Sequence, residues 1–151
     1  MSHQYDAFIS HKSERKPWVK VLAKNLQQHG VRVFLDEGNL VPGQSLARQL
    51  DDALRASRKG ILVATPEIAS SGWVGDEYER MLGFKHQNQD FSIIPIRLGR
   101  DIAEMPFLSI LLSVDFTSRD EYRVSFHRLL CALHDQAPGS TPALDIDLEL
   151  P

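Results

Sequence analysis

Glu77 stands four residues after Trp73 in the stretch Ser71-Gly72-Trp73-Val74-Gly75-Asp76-Glu77. On a helix, that spacing puts both side chains on one side, near the helix start. The product is a carboxylate beside an aromatic wall, and apolar neighbours tune such an acid. The pairing suits cleavage of an N-glycosidic bond whose leaving group is already cationic, as nicotinamide is in NAD+. Strong acid catalysis is then unnecessary. The carboxylate can stabilise an oxocarbenium-like ribose, hold its hydroxyls and orient water. The same spacing also arises by chance, and glutamate is ordinary in a first helical turn, where exposed amides favour acids. On spacing alone, both readings of Glu77 stand. Asp76 and Glu79 read as surface acids or as partners for Arg80.

Two loops offer further polar groups. Ser10 and Lys12 follow a short apolar run and place a hydroxyl and a cation where a diphosphate could be met; a solvated loop with a helix cap is the other reading. Asp36 opens the loop from residue 36 to 45, where a local hydrogen bond to Asn39 or Leu40 competes with a role facing a cleft. Gly38 and Gly43 give that loop unusual dihedrals and Pro42 stiffens it, so it reads as a lid or an assembly surface. Neither a phosphate-binding P-loop nor a Gly-x-Gly-x-x-Gly fingerprint occurs, which argues against an ordinary dinucleotide dehydrogenase. Phosphate transfer through Asp36 is a weak reading, because Thr65-Pro66 occupies the place where a receiver-like fold needs an acid. His11 reads as filling an aromatic position more than as a base. His86, His127 and His134 read as helical residues without carboxylate or cysteine partners at ligand spacing, so no metal is assigned.

The elements that must position these groups alternate. Strands are expected at residues 5–9, 31–35, 60–65, within 91–98 and at 112–116. Helices are expected from Ser13 or Glu14 to His29, from Leu46 to Ala56, from Trp73 to His86 and from Arg119 to Asp135. Trp18, Val21, Leu22 and Leu26 should share the inner face of the first, and Leu46, Leu50, Ala53 and Leu54 that of the second. Tyr122, Phe126, Leu129, Leu130 and Leu133 supply the apolar side of the last. Strands separated by such helices argue for a parallel sheet covered on both faces. The loops after residues 9, 35, 65 and 97 then meet at one edge, outside the carboxyl ends of the strands, where open parallel sheets bind ligands.

Composition bounds the rest. A chain of 151 residues, 42% apolar and 25% charged, suits one domain with a real core. A net charge of -3 makes nucleic acid an unlikely partner for this domain. A single cysteine, Cys131, excludes an internal disulfide framework and fits a cytoplasmic setting. No stretch has the apolar length of a membrane span, and no signal peptide is expected. Residues 1–135 read as the domain and 136–151, with Pro138 and Pro142, as a linker or tail leading to a further domain.

Three segments carry a family resemblance: Tyr5-Asp6-Ala7-Phe8-Ile9-Ser10-His11, the loop from Asp36 to Ser45 with its Pro42-Gly43, and Ser71 to Glu77. Together they resemble a TIR (Toll/interleukin-1 receptor) domain over roughly residues 4–135. Phe126 matches the last family motif weakly, since no tryptophan follows it. The resemblance implies a flavodoxin-like three-layer α/β sandwich with a central five-stranded parallel sheet, and homo-oligomers through TIR–TIR contacts. In catalytic members it implies cleavage of NAD+ to nicotinamide plus ADP-ribose or a cyclic isomer, with NAD+ as substrate and no cofactor required. Mapped by motif, Glu77 is the catalytic acid and Trp73 supports its pocket; Val74 replaces a cysteine common in the family. Ser10, Lys12, Asp36, Leu40, Gly43 and Ser45 would line the nucleotide. A bacterial immune or signalling protein with a fused sensor or assembly domain fits. A noncatalytic adaptor acting through TIR–TIR contacts is the alternative.

Overall fold

The computed structural model describes residues 3–11, 15–35, 39–64, 76–99 and 112–140, together with Leu148 and Leu150. Five strands form one sheet: β1 (Tyr5–Ser10), β2 (Val33–Phe34), β3 (Ser57–Ala64), β4 (Ser92–Arg97) and β5 (Val114–Asp115). Their order is β2-β1-β3-β4-β5 and every pairing is parallel. Four helices connect them: α1 (Lys16–Gln28), α2 (Leu46–Arg55), α3 (Asp76–Gln87) and α4 (Tyr122–Leu133), the last entered through a 3-10 turn at Arg119–Glu121. The result is a flavodoxin-like sandwich with helices on both faces of a parallel sheet.

The two-residue period of the strands divides the core. Ala7, Ile9, Val33, Ile61, Val63, Ile94 and Ile96 point to one face and pack with Val19, Leu22 and Leu26 of α1 and Phe126, Leu129 and Leu133 of α4. Phe8, Phe34, Leu62 and Ile93 point the other way, against Leu50, Ala53 and Leu54 of α2 and Met81 of α3. Such assignment of crossover helices to opposite faces follows from a chain that steps from β1 outward to β2 and then back past β1 to β3.

On the first face, Trp18, Phe116 and Tyr122 meet edge to face, with centroids 5.4 Å apart for Trp18–Phe116 and for Phe116–Tyr122. Between α1 and α4, buried Asn25 donates from Nδ2 to the Tyr122 hydroxyl at 3.0 Å. The second face has a notch. A Cβ on Gly60 would lie 2.9 Å from Met81 and Phe91 side-chain atoms, so glycine in β3 is what lets α3 approach the sheet.

Several boundaries differ from those expected. β2 and β5 shrink to two residues each, because edge strands have one ladder partner and end where that pairing ends. β3 starts earlier, at Ser57. Arg15 is the residue before α1, with Pro17 in its first turn; Ser13 and Glu14 lie outside the described residues. Gly30 takes a φ of +80° just past the helix, where glycine carries no Cβ penalty. Leu46 does not face inward: it is 58% exposed, since the first turn of α2 overhangs the sheet and Leu50 is the first residue to reach the core. Leu112 is 95% exposed, ahead of β5 rather than in it. Leu148, in the segment read as a linker or tail, packs against the core beneath α1 and α4.

Candidate active site at the carboxyl edge

The order β2-β1-β3 makes the gap between the carboxyl ends of β1 and β3 the switch point of the sheet, where the chain departs to opposite sides. Ser10 ends β1, pairs in register with Leu62 of β3 and is buried. From β3 the chain passes to α3, whose first turn contains Glu77. A carboxylate there is favoured by the unpaired amides of the helix start. Trp73, Lys12 and Asp36 lie outside the described residues, as does the side chain of Glu77. What the fold brings to this edge is therefore the tip of β1 at Ser10, the start of α3 with Glu77, and the loop from residue 39 into α2.

That loop has a defined local geometry. Val41-Pro42-Gly43-Gln44 is a tight turn: the Gln44 amide donates to the Val41 carbonyl at 3.3 Å, and Gly43 has a φ of +87°. Proline followed by a positive-φ glycine is the pairing that a type II turn demands. Nothing lies within 4 Å of a Cβ at Gly43, so the positive φ, not crowding, is what asks for glycine. Ser45 caps α2, its Oγ accepting from the Arg48 amide at 3.3 Å. The Leu35 amide is met by the Asn39 Oδ1 at 3.2 Å. Leu40 is partly buried and packs on the core of the second face, anchoring the loop next to the sheet.

Two positioning residues escape a reading of the sequence. Gln49, on the second turn of α2, grips Val41 from both sides: its Oε1 accepts from the Val41 amide at 2.7 Å and its Nε2 donates to the Val41 carbonyl at 3.2 Å. A glutamine on a helix surface carries no signal of such a role, because its partner is a backbone eight residues away in a turn. Arg80 meets Asp51 of α2 at 2.8 Å, and the same nitrogen reaches the Ala47 carbonyl at 3.5 Å; the side chains of Asp76 and Glu79, the expected partners, lie outside the described residues. The loop, α2 and the helix that bears Glu77 are thereby linked in series. His127, expected to lack a cysteine partner, does have one: one turn on, Cys131 Sγ lies 3.6 Å from its Nε2. No cluster of three or more metal-ligating side chains occurs among the described residues.

A TIR-domain family model matches residues 7–130. The chain belongs to the TIR family. A 2' cyclic ADP-D-ribose synthase of Acinetobacter baumannii, AbTIR, is 38% identical over 94 residues, which are 62% of this chain and 35% of that protein. The NAD(+) hydrolase TcpA of a Theionarchaea archaeon is 29% identical over 126 residues, 83% of this chain and 38% of that one. This TIR chain thus spans little more than a third of either relative. Among solved structures, the TIR domain of the Toll-related receptor TRR-2 of Hydra magnipapillata superposes with a TM-score of 0.71 at 23% identity, covering 87% of this chain and 99% of that one, which shows the shared fold. No helix among the described residues of this TIR domain is long and apolar enough to cross a membrane.

Proposed function

We propose that this TIR domain is an NAD+ glycohydrolase with Glu77 as its catalytic carboxylate. The observation that supports this most is the location of residue 77, in the first turn of the helix that leaves β3 beside the switch point of a parallel sheet. The names of its relatives, an NAD(+) hydrolase and a cyclic ADP-D-ribose synthase, point to the same bond. In this reading the bond from ribose C1' to the nicotinamide nitrogen breaks, and its electron pair leaves with the ring, which becomes neutral nicotinamide. Glu77 faces the positive charge left on the ribose and holds its hydroxyls. Water then adds at C1', giving up its proton, to form ADP-ribose; a nucleophile within ADP-ribose gives a cyclic isomer instead. Trp73 walls the nicotinamide pocket. Ser10, Lys12, Asp36, Leu40, Gly43 and Ser45 line the rest of the nucleotide, with Gly43 and Ser45 acting through the turn and cap that shape the loop.

The same reading makes the domain active on self-association through TIR–TIR contacts, in the cytoplasm of a bacterium, as the effector part of an immune or signalling protein whose sensor or assembly region lies elsewhere. The test is nicotinamide release from NAD+ at high protein concentration, comparing wild type with Glu77→Gln and separating the adenine-containing products. Release should fall by roughly two orders of magnitude or more in Glu77→Gln with an unchanged circular dichroism spectrum. Wild-type turnover by the variant overturns the assignment of Glu77. No release by the assembled wild type favours the noncatalytic adaptor.

A further inference from the structure

A groove of about 940 Å³ opens between α2 and α3 at the amino edge of the sheet, away from the carboxyl edge that carries Ser10. Its lining includes His3 ahead of β1, Ser57 at the start of β3 and Phe91 just before β4. Three guanidiniums reach it from three elements: Arg55 from the last turn of α2, Arg58 from β3 and Arg80 from α3. Two acids, Asp51 and Asp90, also line it.

The charges are unequally satisfied. Arg80 binds Asp51, and Arg58 is held at 3.1 Å by Asp135 and at 3.0 Å by the Leu133 carbonyl. Arg55 is exposed and makes no hydrogen bond or ion pair among the described residues. The Arg80 Nε is buried and lacks a hydrogen-bond partner among the described residues, although guanidinium donors are usually met. Phe84 is half-buried on the same wall and meets Phe91 edge to face at 4.9 Å. Gly83 keeps that wall open: a Cβ there would touch nothing within 4 Å.

We infer that this groove is a second ligand site, for a small phosphate ester with a planar apolar part, of the size of a nucleoside monophosphate. The phosphate oxygens would be met by the exposed guanidinium of Arg55, the donor type best suited to phosphate, beside the Arg80 guanidinium that also lines the groove. The planar part lies against Phe84. The volume falls in the range of small-molecule sites. This inference is independent of NAD+ cleavage at the opposite edge.

The test is titration of the ¹⁵N-labelled protein with adenosine monophosphate, inorganic phosphate and adenosine, followed by amide chemical shifts. Adenosine monophosphate should move the amides of Arg55, Gly83, Phe84 and Asn88 and bind more tightly than either of its parts. Arg55→Gln, which breaks no ion pair, should weaken binding by roughly tenfold. Gly83→Leu, which fills open space with a good helix former, should abolish it while the rest of the spectrum is kept. Shifts confined to the carboxyl edge, around Ser10 and Gly43, overturn the inference. So does saturable binding that both variants leave unchanged, or no binding at millimolar concentration.

Discussion

The two faces of the sheet are held by different physics. Under α1 and α4, aromatic rings interlock around Tyr122 and a buried Asn25–Tyr122 hydrogen bond fixes one helix on the other. Under α2 and α3 the core rests on Phe8, Phe34, Leu50, Leu54 and Met81, and the two helices are tied by a partly exposed Arg80–Asp51 ion pair. Such a pair contributes about 0–1 kcal/mol, whereas leaving one partner of a buried hydrogen bond unmet costs about 1–3 kcal/mol. The candidate active-site loop, the helix bearing Glu77 and the groove all belong to the second face. Both faces bury a core, so the contrast lies in the polar tie between helices, which is buried on the first face and partly exposed on the second.

The comparison is broken most directly at Phe126. Phe126→Ala empties a fully buried site between α1 and α4 and should cost about 3–5 kcal/mol in urea unfolding. A loss below about 1 kcal/mol would mean that the packing of α4 on the first face contributes little to stability. Gly60→Ala acts on the other face. The new methyl meets the Phe91 ring and the Met81 thioether at 2.9 Å, and only the methionine end yields easily. The expected cost is about 1–3 kcal/mol. α3 should be displaced, and under the proposed function NAD+ turnover should fall more than the loss of folded protein explains. Turnover that simply follows the folded fraction would show that seating α3 is irrelevant to Glu77.

Gln49→Ala releases the turn at Val41 and should cost about 1 kcal/mol or less. Amide exchange should quicken at Val41 and Gln44 while the α1 and α4 amides stay protected; unchanged exchange at those two positions would remove Gln49 as a positioning residue. The smallest effect concerns pH. Lys59 donates to Asp135, and with Arg58 it holds that carboxyl below its ordinary value of 3.8. A carboxyl lowered by folding adds stability above its unfolded pKa and loses it as pH falls through the folded one. Asp135→Asn should therefore lower the melting temperature slightly at pH 7 and leave it nearly unchanged near pH 2. An equal difference at both pH values would show that the charge of Asp135 is not the cause, since asparagine tolerates its positive φ of 57° as aspartate does.

Much of the architecture was legible because its signals are local. The apolar run of β1 reports a strand buried on both faces, and the helical spacing of Leu22 with Leu26 and of Phe126, Leu129 and Leu133 reports burial on one. The Pro42-Gly43 pair announces its turn, and Gly30 its helix end. Leu46 misled because an apolar residue at the right spacing is inward only if the sheet extends beneath it, and the first turn of α2 reaches past the sheet. The clasp of Gln49 on Val41 and the pairing of Arg80 with Asp51 were not legible, because polar surface side chains choose partners across elements whose approach no local pattern encodes.

By itself, the sequence determined the βα alternation and the parallel sheet, and it named Glu77 as the acid to test. Each follows from periodicity, chain order or a short motif. Only the tertiary structure decided which helices share a face, which guanidiniums stay unpaired among the described residues and where a second groove opens. These depend on distances between residues far apart in the chain, and those distances are set by how whole helices seat on the sheet, at a notch such as Gly60.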